Sequence, residues 1–170
     1  MRVVTATVAA AISAAVLGLA AGGARADEEK VALDKLPEPV VAAVKKRFPH
    51  GEMTGASKET EDGKTVYEVS VKDGGTKLDV TVSADGKIAG IEKGIAAKDL
   101  PQAVTEALAK KYPHATHKTV EEVIKVADGK ETTEYYEVLL VTADKKTVEV
   151  EVKADGTIKK TEEKKEGKKD

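Results

Sequence analysis

Apolar positions in this chain follow two periods that alternate twice. Leu36, Val40, Val44 and Phe48 are four residues apart, and so are Leu100, Val104, Leu108 and Tyr112. That spacing draws one apolar stripe along a helix of about three turns. Pro37 and Pro101 stand near the start of each helix, where a missing N–H leaves no bond unmade. Asp99 is a candidate cap for the second helix, and Asp34 lies near the start of the first. Lys45, Lys46 and Arg47, like Lys110 and Lys111, fall in the last turn and oppose the negative end of the helix dipole. Pro49 and Pro113 stop the two helices.

After each helix the period drops to two. Tyr67/Val69/Val71 and Leu78/Val80/Val82 alternate with polar residues, and so do Tyr136/Val138/Leu140 and Val148/Val150/Val152. These sets are predicted to face the helix of their own half. The runs are separated by Asp62-Gly63, Asp73-Gly74-Gly75 and Asp85-Gly86 in the first half. In the second they are separated by Asp128-Gly129, Ala143-Asp144-Lys145-Lys146 and Asp155-Gly156. Asp-Gly between alternating runs is a hairpin signal, because Gly accepts the positive φ of a tight turn.

The two halves are one unit written twice. Leu36-Pro37 matches Leu100-Pro101 at an offset of 64, Tyr67-Glu68-Val69 matches Tyr136-Glu137-Val138 at 69, and Ala84-Asp85-Gly86 matches Ala154-Asp155-Gly156 at 70. The expected fold class is α+β, with tandem α-β-β-β-β units, each a helix packed on a four-stranded antiparallel sheet. The first unit is placed at 27–94 and the second at 95–158. One such unit has a thin core, so the two are expected to dock side by side, with a shared continuous sheet as one way of doing so. The remainder, 159–170, is rich in Lys and Glu and is expected to be a disordered tail.

The first 26 residues read as a cleaved secretory signal. They hold two arginines, no acid, an apolar run over 3–21 and the small-x-small site Ala24-Arg25-Ala26. The expected location is periplasmic or secreted, with no membrane contact after cleavage. The whole chain has 28 Lys+Arg against 30 Asp+Glu, a formal charge of −2 that becomes about −4 when the leader is removed. Such a balance lacks the basic excess of a nucleic-acid binder. With no Cys, the chain has no disulfide, thiolate metal site or thiol nucleophile.

Candidate chemistry is sparse. His50 and His114 occupy the same post-helix position, and His117 follows His114 by three, but no acid stands at a matching spacing in the loop. These histidines read as solvated loop residues rather than metal ligands. Glu121-Glu122, Glu149/Glu151 and Glu162-Glu163 are carboxylate pairs. Acids alternating along a strand normally mark a solvated face, not a catalytic pair. Ser57, Ser70 and Ser83 lack a nucleophile elbow. No cofactor, metal site or catalytic set is predicted, and the chain is not expected to be an enzyme.

The run 36–49 has the pattern L-P-x-x-V-x-x-A-[VL]-x-x-x-[FY]-P, which recurs over 100–113; each copy is followed by Tyr-Glu-Val and then Ala-Asp-Gly-x-Ile. In these motifs the chain resembles the PepSY-like proteins, also called β-lactamase-inhibitor-like proteins, over about 31–160. The resemblance implies a small exported bacterial protein with a helix on an antiparallel sheet, no assigned catalytic residues, and a role in binding another protein through a sheet surface. The chain lacks the disulfides of the namesake inhibitor.

If Tyr67 and Tyr136 point inward, the outward rows are Val66/Glu68/Ser70/Lys72 and Tyr135/Glu137/Leu139/Val141. The second carries three apolar residues, which suggests a contact surface. Tyr135, Glu137, Leu139, Val141, Val66 and Glu68 are therefore the candidate partner-binding residues. The expected function is a non-catalytic, monomeric, exported protein-binding module with an exported protein as its partner, an inhibitor or regulator of an envelope or secreted enzyme. The alternative is a small-ligand or metal-ion sensor or buffer of the cell envelope.

Overall fold

A computed structural model describes residues 29–61 and 64–164. The leader, the Asp62-Gly63 turn and 165–170 lie outside the described residues. Nine strands, β1 Glu29–Lys30, β2 Glu52–Glu61, β3 Lys64–Asp73, β4 Thr76–Ser83, β5 Ile88–Gly94, β6 Thr116–Ala127, β7 Lys130–Val141, β8 Thr147–Val152 and β9 Ile158–Lys164, form one sheet in chain order. Every neighbouring pair is antiparallel. Two ten-residue helices, α1 Glu38–Arg47 and α2 Gln102–Lys111, complete the described structure, each preceded by a short 3-10 turn.

This corrects the expected fold class. The chain is not a pair of helix-on-four-strand units but one mainly β molecule built on a single nine-stranded sheet. The physical reason is the edge that a separate first unit would leave. The outer side of β5 would present unpaired N–H and C=O groups. Instead β5 pairs with β6 in register from Gly90↔Lys125 to Gly94↔Glu121. The far edge of β2 is likewise partly paired, by the two-residue β1.

The alternating apolar sets do lie under the helices. Val69, Val71, Leu78, Val80, Val82 and Ile91 pack with Leu36, Val40, Val44 and Phe48 of the first helical segment. Val138, Leu140, Val148, Val150 and Val152 pack with Leu100, Val104 and Leu108. Ile124 of β6 packs against the first of these cores, so the two cores lie on one face of the sheet on either side of the β5–β6 seam.

Helix ends are set by proline and an aromatic residue rather than by an Asp cap. Pro37 and Pro101 are the N-cap residues, with no side-chain cap, and their carbonyls accept from Val40 and Val104 at 3.0 Å. Asp99 closes the preceding 3-10 turn instead. The N–H groups of Phe48 and Tyr112 donate to Val44 and Leu108 at 2.8 Å, and both aromatic residues then leave the helical region, with φ −127° and −129°.

Strand β9 differs from the expected tail. Residues 159–164 have no apolar side chain, yet they form an edge strand whose lysines bond acids of β8 across the ladder: Lys164 reaches Glu149 at 3.0 Å, and Lys159 and Lys160 each reach Glu151 at 3.8 Å. Composition signals disorder where an isolated segment has nothing to bury. Here β8 supplies both the backbone ladder and the counter-charges.

One turn geometry occurs three times, after β4, β7 and β8. Gly86 and Gly156 take φ of +87° and +85° in two of them, and Lys145 takes +66° in the third. A Cβ on Gly86 or Gly156 would stand 2.7 Å from the carbonyl oxygen of Pro39 or Ala103 in the helix above. Gly156→Ala therefore combines left-handed strain with a backbone clash and should lower stability by about 2 kcal/mol. Lys145→Gly removes strain at the matching position and should raise stability by roughly 1 kcal/mol. Urea melts of both variants check the opposite signs.

Candidate functional site

With both helices on one face, the opposite face of the sheet is formed by strands alone. Its centre is acidic. Asp79 of β4 lies directly across from Glu92 of β5, Glu121 of β6 across from Glu137 of β7, and Glu137 across from Glu151 of β8. Glu149 faces Leu139 in the next pair. Like charges set directly opposite on neighbouring strands normally destabilise a sheet. Each pair lies within one half of the chain, and the β5–β6 seam sets the acids of the first half beside those of the second.

Several of these acids are withdrawn from water although no helix among the described residues covers them. Glu137 is 5% exposed and Glu149 4%. Val123 and Tyr135, directly opposite each other on β6 and β7, are 6% and 3% exposed, and the Lys159 ammonium sits 3.9 Å from the centre of the Tyr135 ring. Ser70 donates to Asp79 at 2.6 Å. Glu149 has Lys164 as its ion partner. Glu137 has a buried Oε2 without a hydrogen-bond partner among the described residues.

Desolvation dominates the electrostatics. Burial, followed by the charges of Glu137, Glu68, Glu121 and Asp79, pushes the Glu92 carboxyl up to about 9. Burial, followed by Glu149, Glu121 and Glu151, pushes Glu137 up to about 8, with Lys164 opposing. Glu121 is also raised, by burial and then by Asp79 and Glu149, against the pull of Lys77. The Tyr135 hydroxyl is raised by burial and by Glu151 and Glu137.

The structure places all six candidate partner-binding residues on this strand-only face but divides them. Tyr135, Glu137, Leu139 and Val141 lie along β7. Val66 and Glu68 lie on β3, separated from β7 by β4, β5 and β6. Leu139, Val141, Val66 and Glu68 are half-buried, whereas Tyr135 and Glu137 are buried. The apolar row is thus less open than alternation implies. The reading of alternating acids as a solvated face fails at Glu149. Sequence reasoning missed Asp79, Glu92, Glu121 and Glu149 as members of one cluster, since their proximity depends on strand register across the seam.

Other candidates fall apart spatially or chemically. His50, His114 and His117 are exposed, and among the described residues no group of three or more His, Cys, Asp or Glu is arranged to hold a metal ion. Ser83 bonds Asp85 and the Lys87 carbonyl within its own turn. On the helix-bearing face a crevice of about 240 Å³ straddles the seam, lined by residues that include Phe48, Leu78, Ile91 and Ile124. Beside it Arg47 holds Glu131 of β7 at 2.9 Å, linking α1 to the second half.

The architecture is that of a two-layer scaffold, helices on one side of an antiparallel meander and a strand-only face on the other. The two halves are similar in turn to PepSY-type modules: residues 37–92 match the PepSY model, described as "Peptidase propeptide and YPEB domain", and residues 90–165 match the model described as "Putative beta-lactamase-inhibitor-like, PepSY-like". Among solved structures, a DUF2874 family protein from Bacteroides uniformis is similar over 75% of this chain and 88% of its own, at 18% identity and TM-score 0.60. A BLIP-like protein from Bacteroides fragilis is similar over 79% and 91%, at 18% identity and TM-score 0.56. A protein from Bacteroides eggerthii described as one of the "putative periplasmic proteins" is similar over 75% and 88%, at 15% identity and TM-score 0.61. These likenesses show the fold. No curated protein matches the chain.

The raised carboxyls make stability depend on pH in a particular direction. Glu92 and Glu137 keep their protons in the folded protein to about 9 and about 8, while the unfolded chain releases them near the ordinary 4.5. Their contribution is fully present below about 4.5 and is lost as pH rises through the folded values. The melting temperature should therefore fall between pH 5 and pH 9. A Glu92→Gln/Glu137→Gln variant should flatten that decline and gain on the order of 2 kcal/mol at pH 9. Thermal melts across this range check both the slope and its loss.

Proposed function

We propose that this protein is a non-catalytic, exported binding module that engages another protein through the strand-only face of its sheet. The observation that carries this reading is the placement of both helices, and both apolar cores, on one face, which leaves the other as a broad surface built by strands alone. Along β7 that surface offers half-buried Leu139 and Val141 beside buried Tyr135 and Glu137, with Val66 and Glu68 toward the first half. Exposed apolar side chains set in polar surroundings favour protein contact.

The matched modules support a binding role over a catalytic one. Their models carry propeptide and inhibitor-like descriptions, and a solved neighbour is described as BLIP-like. The leader pattern and the periplasmic description of another neighbour support export to the periplasm or beyond. Restraint of an envelope or secreted enzyme is the regulatory role this combination favours.

Affinity capture tests the reading. The protein, expressed from its full sequence and immobilised, should retain a discrete partner from envelope extract. A Tyr135→Ser/Leu139→Ser variant that still melts cooperatively should lose that partner, whereas Lys45→Ser/Lys110→Ser on the helix side should keep it. Equal retention by the first variant would remove the strand-only face as the contact surface.

A further inference from the structure

We propose that Glu92, Glu121 and Glu137, on the adjacent strands β5, β6 and β7, form a seat for a guanidinium or ammonium group carried by a basic segment of a partner protein. The inference rests on the binding-module reading and names the chemistry of its partner.

The geometry has three parts. The acids come from neighbouring strands, with Glu121 and Glu137 directly opposite and Glu92 on the next strand. Glu137 is 5% exposed, and its Oε2 is buried with no hydrogen-bond partner among the described residues, an arrangement that is costly unless a donor arrives. The β9 lysines are committed to other acids of the face, Lys164 to Glu149 and Glu162, Lys159 and Lys160 to Glu151, while Lys77 of β4 pulls on Glu121 from a distance. Among the described residues, Glu92, Glu121 and Glu137 form no ion pair with any of them. An unpaired acid group on a face that pairs its other buried acids is a site awaiting a donor.

The chemistry of the donor follows. A calcium-type ion requires six or more oxygens within about 2.6 Å, and among the described residues no acid group is arranged for a metal. A guanidinium carries five N–H donors in a planar fork and loses hydration more readily than an ammonium, so it suits carboxyls spread over several strands. The half-buried Leu139 and Val141 adjoining the seat on β7 fit the apolar flank of a polypeptide rather than a free amine.

Seating a cation there has a consequence that simple surface attraction lacks. At neutral pH the free protein holds protons on Glu92 and Glu137, whose values stand at about 9 and about 8. The groups that face them are Asp79 and Lys77 of β4, Glu68 of β3, Glu121 of β6, Tyr135 of β7, Glu149 and Glu151 of β8 and Lys164 of β9. A guanidinium among these acids favours the ionised carboxyls, so binding expels protons to the buffer.

The test is isothermal titration calorimetry at pH 7 and low salt on the protein expressed from its full sequence. The probe is an N-acetylated, C-amidated oligo-arginine peptide, measured in two buffers of different ionisation enthalpy. The parent should bind, with an observed enthalpy that changes with the buffer. Glu121→Gln/Glu137→Gln should bind roughly tenfold more weakly or worse and show a smaller buffer dependence, since only Glu92 of the two proton-releasing groups remains, while Glu106→Gln on α2 should change neither. The Gln variants are isosteric and relieve buried acid charge, and melting curves confirm that they fold. Absence of binding by the parent, equal affinity in the double variant, or Ca²⁺ binding that the double variant abolishes would overturn the proposal. If an envelope partner were lost by Tyr135→Ser/Leu139→Ser but kept by Glu121→Gln/Glu137→Gln, the cation seat would fall and the binding face would stand.

Discussion

The pairing of β5 with β6 is the constraint on which the rest of this molecule depends. It is an antiparallel ladder of five residue pairs, Gly90↔Lys125 to Gly94↔Glu121, and it fuses the two halves into one sheet. Glycine at 90 and 94 keeps the β5 side of that ladder free of side chains at both ends. Because the seam fixes which side of β6 matches which side of β5, it also fixes that α1 and α2 lie over the same face. A flip of one half about the seam would put one apolar core on each face and leave no strand-only surface.

The seam also creates the electrostatics of that surface. Glu121 and Glu137 face each other within the second half, and it is the seam that adds Glu92 of the first half to them. Fusing the halves costs electrostatic free energy at their junction, and protonation of Glu92 and Glu137 offsets part of that cost. Lysines of β9 neutralise the outer acids, Glu149 and Glu151, which accounts for an edge strand with scarcely any apolar content. Fold and charge pattern are thus one arrangement: a helical layer that holds the sheet, and a face whose central acids Glu92, Glu121 and Glu137 form no ion pair among the described residues.

What could be read from the sequence was what is local. The stripe of Leu36, Val40, Val44 and Phe48 and the alternation of Val69/Val71 and Val80/Val82 are short-range patterns, and both lie where their period puts them. The same holds for Leu108 over Val138 and Val150. The sequence offers the seam only as one way of docking the halves, because strand pairing between halves is non-local and leaves no periodic mark. The acids were misread for a related reason. Alternation says only that Glu137 and Glu149 point away from the helices; whether that side is wet depends on neighbours such as Tyr135 and Val123, supplied by other strands. Strand β9 was missed because composition cannot anticipate ion partners on β8.

Two carboxyls, of Glu92 and Glu137, stay protonated near neutrality because the joined sheet withdraws them from water. Side-chain carboxyl NMR titration of Glu92 and Glu137, assigned through the Glu92→Gln and Glu137→Gln spectra, measures this directly. The account predicts midpoints well above the ordinary carboxyl range, near 9 and near 8. Midpoints near 4.5 for both would show that the centre of the face is open to solvent, and would contradict a buried acid cluster formed by the seam.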